Sequence, residues 1–155
     1  MFKSLEGNFD NPKVHELLSK HFVELRAASP EGSAHVLDIP GLKVSSIKFW
    51  SLWQDENLIG CGALKFLDEG HGEFKSIRIH DNFRNKGYGI NVINHLINEA
   101  KKLKIKKISI ETGAGDFFLP ARKLFKKCEF KECQPFAHYK EDVNSVYLTK
   151  IIGTN

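Results

Sequence analysis

Apolar residues recur along this chain at two periods, and the switches between them mark out its elements. Asp10-Asn11 can cap a helix and Pro12 suits a first turn. Val14, Leu17, Leu18, His21, Phe22 and Leu25 then return at three-to-four spacing, which predicts an amphipathic helix from residue 12 to about residue 28. Ser29-Pro30-Glu31-Gly32 breaks it. Residues 33–45 fit either a short second helix or a loop. Strand-like segments follow at 47–54, 58–66 and 72–80, separated by Asp55-Glu56-Asn57 and Leu67-Asp68-Glu69-Gly70. Loops this short predict an antiparallel meander. Trp50 and Trp53 should face opposite sides of the first of these strands, one in the core and the other free to line a pocket.

The helical period returns at 88–103, where Ile90, Ile93, Leu96, Ile97, Ala100 and Leu103 share a face. A strand is predicted at 104–111, a shorter helix at 120–127, and closing strands at 130–133 and 145–151. Residues 73–111 therefore read strand, loop, helix, strand, and the two strands should run parallel.

Composition narrows the class. The chain has 155 residues, with 41% hydrophobic and 27% charged, which suits one globular domain rather than a disordered segment. A net charge of +4 suits an anionic ligand without demanding nucleic acid. No apolar run approaches a membrane span, and Met1-Phe2-Lys3-Ser4-Leu5-Glu6 has no signal-like apolar core, so no membrane partner is expected. The three cysteines, Cys61, Cys128 and Cys133, form neither a paired framework nor a zinc spacing. A cytoplasmic location and no metal are the expectations.

The candidate chemistry begins at Arg84-Asn85-Lys86-Gly87-Tyr88-Gly89, between a strand and a helix. Its glycines let backbone N–H groups approach a ligand closely. Those groups sit at a helix start, where they lack intrahelical partners and where the dipole favours negative charge. Arg84 and Lys86 add cations. The loop reads as a seat for a diphosphate. A dinucleotide-binding turn is the competing reading, with Glu111 where a ribose-binding carboxylate would stand. Val92 at the third glycine position, the long basic gap after Ile79 and the preceding meander oppose it.

The same loop resembles the R/Q-x-x-G-x-G/A loop of the GNAT superfamily of acetyl-coenzyme A-dependent N-acetyltransferases. Gly72-Glu73-Phe74 upstream, and Ala121-Arg122-Lys123-Leu124-Phe125 with Phe130 downstream, match that family in register over about residues 45–151. The implied fold is α/β (α+β), a single GNAT-like domain over residues 1–155. It would hold a mixed, mostly antiparallel, twisted sheet of about six to seven strands with a parallel splayed pair, and about four flanking helices. The implied co-substrate is acetyl-coenzyme A. Arg84, Asn85, Lys86, Gly87, Tyr88 and Gly89 would hold its diphosphate. Ile77 and Ile79 would pair with pantetheine beside a bulge around Arg78.

The resemblance also implies that Glu73 is the general base; a strand carboxylate paired with Lys75 is the alternative. In many family members a tyrosine of the last helix protonates the leaving thiolate. Phe125 stands there in this chain, within the cofactor site, and Tyr139 is the nearest substitute donor in sequence. Arg26, His35, Arg78 and Arg122 are cations that could face the acceptor, and two of them there would favour an amino acid or another carboxylate-bearing amine. The reading is thus an enzyme that acetylates a small-molecule primary amine, working as a monomer or homodimer. The alternatives are a non-catalytic acyl-coenzyme A binding module and, from the lysine run at 101–107, a nucleic-acid-binding domain. That run is read as a solvated edge.

Overall fold

A computed structural model describes residues 2–153. In chain order the elements are β1 (Phe2–Glu6), α1 (Pro12–Ala28), α2 (Ile39–Leu42), β2 (Ile47–Gln54), β3 (Asn57–Asp68), β4 (His71–Ile79), α3 (Tyr88–Lys102), β5 (Lys107–Gly113), α4 (Leu119–Lys127), β6 (Lys131–Glu132) and β7 (Ser145–Ile151). All seven strands form one sheet in the order β1-β2-β3-β4-β5-β7-β6. β4 and β5 are the parallel pair; every other neighbouring pair is antiparallel.

Local chemistry explains the helix boundaries. Asn11 accepts a hydrogen bond from the Lys13 amide at 2.9 Å, and Pro12 occupies the first turn of α1. Asp38 caps α2 in the same way, through the Gly41 amide at 2.9 Å. This settles the 33–45 region as loop with one short helix. α3 ends earlier than its apolar stripe suggests. The amides of Leu103 and Ile105 both reach the Ala100 carbonyl, at 3.0 and 3.1 Å, around Lys104 at φ +67°. A left-handed residue stops a helix in this way. Lys104 is therefore a cap, and the strand expected from 104 starts at Lys107.

The sheet carries a core on each face. Val92, Ile93, Leu96, Ile97 and Ala100 of α3 pack against Leu52, Ile59, Leu64 and Phe74, with Phe125 and Phe130 closing the layer. Val14, Leu17 and Leu18 of α1 pack against Phe49, Trp53 and Leu58 on the other face. Each fully buried large aliphatic or aromatic side chain contributes roughly 1.5–3 kcal/mol. Trp50 and Trp53 do take opposite faces, but both are core residues; neither lines a pocket. β1 was absent from the elements read in the sequence, where its five residues carry too short an alternation to stand out.

What positions the site is the seam between the two antiparallel blocks. β4 and β5 pair over only three positions, His71↔Lys107, Gly72↔Ile108 and Glu73↔Ser109, and diverge after them. On its other edge β4 bulges: Cys61 opposes Arg78 and Ala63 opposes Lys75, so Gly62 faces both Ser76 and Ile77. Ser76 takes φ +54° to do so. The bulge thus lies at Ser76–Ile77, immediately before Arg78, around which it was expected. Gly62 is required there, because a Cβ would stand 2.4 Å from Leu96 Cδ1.

Candidate active site

A cavity of about 740 Å³ fills the split between β4 and β5 and runs from α1 to α4. That volume lies within the usual range of small-molecule and cofactor sites. Residues 74–79 of β4 and 110–113 of β5 form its walls.

One end is built from backbone. Gly87 precedes α3 at φ +86°, and α3 has no side-chain cap, unlike α1 and α2. Asn85 is also left-handed, at φ +60°. A Cβ on Gly87 would meet nothing within 4 Å, so space in front of the helix start is open. Uncapped amides facing open space at a helix start are what an anion needs. Arg84, Asn85, Gly87, Gly89, Lys123 and Lys127 line this end. Arg84 braces the loop: Nε donates to the Ile79 carbonyl at 3.3 Å and the guanidinium pairs with Asp81 at 3.2 Å.

The side chains of the loop have other roles beside the backbone one read from sequence. Lys86 is exposed and lies off the cavity wall. The Tyr88 side chain turns away, its hydroxyl donating to Gln54 Oε1 at 3.0 Å and its ring meeting Phe83 edge-on. Gly89 is small for packing, since a Cβ would stand 2.7 Å from Leu124 Cδ2 where α4 crosses α3. Lys123 and Lys127 went unnoticed in the sequence; their i, i+4 spacing on a short helix next to the loop was the available signal.

The other end, with a small recess beside it that Glu73 lines, is built from side chains. Glu73, the last residue of β4 still paired with β5, is only 1% exposed. Its Oε2 accepts from the Tyr139 hydroxyl at 2.6 Å and from Lys75 Nζ at 3.3 Å; Lys75 also donates to the Tyr139 oxygen at 3.2 Å. Its Oε1 is buried with no hydrogen-bond partner. Glu73 is thus paired with Lys75 through one oxygen, and its other oxygen remains without a partner. Burial, followed by the charge and hydrogen bond of Glu73, pushes the Tyr139 hydroxyl well above its usual range. Phe125 lines the cavity at 5% exposure, packed near Phe130.

Further groups gather beside Glu73. His21 of α1 is buried, and desolvation, then the charges of Arg78 and Arg84, lower its pKa to about 3. It is neutral at ordinary pH. His35 stands edge-on to the Tyr139 ring at 5.1 Å. Glu111 of β5 accepts from Ser145 Oγ at 2.8 Å, and burial raises its carboxyl above the usual range. Ser33 donates to Asp142 at 2.7 Å and accepts from Asn144 at 3.3 Å, which ties the loop after α1 to the segment before β7 over this end. His21 hid in the apolar stripe of α1, and Glu111 was weighed only for a ribose contact.

Of the acceptor cations read from sequence, His35 and Arg78 line the cavity, and Arg26 and Arg122 do not. Arg26 is exposed and lies over the Phe22 ring at 5.4 Å. Arg122 donates to the carbonyls of Gly113 and Gly115, at 2.6 and 2.9 Å, and fixes the turn after β5. Arg78 reaches the cavity wall, but its Nη2 is held by Glu24 at 3.1 Å and Asp81 at 3.4 Å. The Cys61 thiol is pushed up to about 12 by burial, which leaves it inert. Among the described residues no cluster of His, Cys, Asp and Glu is placed to hold a metal ion, and no helix is long and apolar enough to cross a membrane.

A sheet parted along one parallel pair, with an anion-ready helix start in the gap, is the architecture of an acyl-coenzyme A-dependent transferase. The profile of the Acetyltransferase (GNAT) family matches residues 12–130, and the chain belongs to that family. It is 44% identical over 138 residues to the uncharacterized N-acetyltransferase YsnE of Bacillus subtilis (strain 168), covering 89% of this chain and 91% of that one. It is 34% identical over 155 residues to the uncharacterized N-acetyltransferase YedL of Escherichia coli (strain K12), covering 100% and 98%. A Bacillus subtilis acetyltransferase solved in complex with CoA shares the fold, with a TM-score of 0.70, 19% identity and coverage of 97% of this chain and 99% of that one. The protein is an acetyl-coenzyme A-dependent N-acyltransferase.

Proposed function

We propose that this enzyme moves an acetyl group from acetyl-coenzyme A to a primary amine of a small molecule, by direct attack, with Glu73 as general base. When bound, the co-substrate supplies an activated acyl carbon with a thiolate leaving group. Everything else falls to the chain. The amides around Gly87, with Lys123, Lys127 and Asn85, would hold the diphosphate. Ile77 and Ile79 line the split where pantetheine would lie as an added strand.

An amine must lose a proton before it can attack. For a lysine-like amine of pKa about 10.4, exposing the lone pair near neutral pH costs roughly 4–5 kcal/mol. Glu73 Oε1 is the atom placed to take that proton, directly or through water. Tyr139 and Lys75 hold Oε2 and so fix where Oε1 points. Tyr139 is thereby a positioning residue for the base rather than a donor to the thiolate. Phe125 has no proton to give. A thiol of pKa about 8.5 can leave as thiolate at roughly 2 kcal/mol near neutral pH, so the chemistry tolerates its loss.

The single observation behind this reading is the unpartnered Glu73 oxygen beside the split of β4 from β5. Thiol release measured with a panel of amines tests it. Glu73→Gln should lower kcat by about 10²–10⁴-fold while acetyl-coenzyme A affinity stays within about threefold. Unchanged turnover in that variant removes Glu73 from the chemistry.

A further inference from the structure

Next to the main cavity, and sharing walls with it, lies a recess of about 60 Å³. Its charged and polar walls come from His21, His35, Glu73, Lys75, Ser76 and Glu111. Three buried atoms of those walls have no hydrogen-bond partner: His21 Nδ1, Glu73 Oε1 and Ser76 Oγ. Buried polar atoms in this state call for a ligand or water that completes them.

The charge count is uneven. Lys75 is matched to Glu73 at 3.3 Å, with both side chains almost wholly buried. His21 is neutral at ordinary pH. His35 offers its ring to Tyr139. Glu111 accepts from the Ser145 hydroxyl, feels Lys75 and His35 only at longer range, and among the described residues forms no close ion pair. It enters from β5 while Glu73 enters from β4, so two carboxylates flank the split with one ammonium between them. No arginine lines the recess; Arg78, whose Nε is buried without a partner, stands on the wall of the main cavity with its Nη2 held by Glu24 and Asp81.

Building on the assignment of Glu73 as base, we infer that Glu111 binds a second ammonium of the acceptor, and that the acceptor class is a di- or polyamine. One amine docks on Glu111 while the other is presented to Glu73 Oε1. The docked ammonium supplies the close ion pair that Glu111 does not form among the described residues, and its N–H groups are suited to the unpartnered acceptors nearby. This replaces the carboxylate-bearing acceptor that Arg26, Arg78 and Arg122 suggested in the sequence.

Three acceptors of equal length decide it: 1,4-diaminobutane, 1-aminobutane, and 4-aminobutanoate, in which a carboxylate replaces the second amine. The enzyme should prefer the diamine over the monoamine by at least about tenfold in kcat/KM. In Glu111→Gln that ratio should fall toward one, through a rise in KM for the diamine. Binding supplies an arm that needs no turnover. Calorimetric titration of 1,4-diaminobutane into enzyme holding coenzyme A should show affinity at least about tenfold weaker in Glu111→Gln. Binding of coenzyme A by the variant confirms that it is folded. A monoamine used as well as the diamine, a preference for 4-aminobutanoate, or equal diamine binding by both proteins overturns the proposal. Glu73→Gln separates the two claims: it should stop turnover yet still bind the diamine. If Glu73→Gln turns over normally, the base assignment fails while the titration still judges Glu111.

Discussion

The two ends of the cavity meet charge by opposite means. At the α3 end the groups open to a ligand come mainly from one continuous loop: main-chain amides at Gly87, φ +86°, and at an uncapped helix start, with Lys123 and Lys127 beside them. At the α1 end they come from side chains on separate elements: His21 on α1, Glu73 and Lys75 on β4, Glu111 on β5, and Tyr139 between β6 and β7. A backbone cradle recognises a diphosphate and little else, so it suits a co-substrate shared across a family. A side-chain cluster can be rebuilt one residue at a time, so it suits an acceptor that differs between members. The β4–β5 split joins the two, since it leaves one space open from the loop to Glu111, beside the recess that Glu73 lines.

If the first end depends on backbone geometry, the largest effect should come from a change that adds no charge and touches no neighbour. Gly87→Val is that change. Its Cβ would meet nothing within 4 Å, yet φ +86° is a conformation that L-residues adopt only with strain. The left-handed region costs roughly 1–2 kcal/mol for an ordinary residue, and more for a β-branched one. The loop should relax out of this conformation when free and have to regain it on binding. Coenzyme A affinity should therefore fall by about 30-fold or more, with the unfolding midpoint nearly unchanged. Unaltered affinity in a calorimetric titration would place the diphosphate away from this loop and dissolve the contrast between the ends.

The second end should show its burial in the pH dependence of stability. His21 titrates near pH 3 when folded, against about 6.5 in an unfolded chain. Its folded pKa is depressed, so the unfolded state binds the extra proton between those values. The stability tied to keeping His21 neutral is complete above pH about 6.5 and drains away as pH falls toward 3. At pH about 5 the loss from this group is about 2 kcal/mol. Urea denaturation of wild type and His21→Phe, at pH about 7.5 and about 5, should show the variant losing about 2 kcal/mol less over the interval. Parallel losses would mean that the imidazole is not held in a dry, positively charged setting.

What could be read in advance follows the same division. The phosphate loop is contiguous, and its glycines, cations and helix start appear together in six residues. The sheet and helices were legible because burial of one face imposes a period, as in α1, α3 and the β2–β4 meander. The errors fall where a single backbone torsion decides: Lys104 ends α3 at φ +67°, and Ser76 sets the bulge at φ +54°. No periodicity records either. The acceptor end was the least legible. Glu73 and Tyr139 lie 66 positions apart and meet through their hydrogen bond and through Lys75, which donates to both. Glu111 gains its meaning from the strand it departs from. The arginines were hard to place for a related reason: a sequence shows that a cation exists, whereas its partner is a matter of folding. Arg78 faces Glu24 from 54 positions away.

Arg122 offers the smallest and most pointed check of that last statement. In the sequence it was a candidate for the acceptor's carboxylate. In the fold its Nη1 bridges the carbonyls of Gly113 and Gly115 and so anchors the turn by which β5 leads into α4. Gly113 itself is tightly enclosed, with a Cβ there falling 2.1 Å from Phe118 Cδ2, so the turn has little room to readjust. Arg122→Ala should lower stability by about 1 kcal/mol, the scale of a lost hydrogen-bonding group, and leave KM for the amine within about twofold. Chemical denaturation and steady-state kinetics on the same preparation separate the outcomes. A tenfold rise in amine KM with stability intact would return Arg122 to the acceptor site, and with it a carboxylate on the substrate. That result would also count against the docking of a second ammonium on Glu111, because one small pocket does not select both charges at the same distance from the reacting amine.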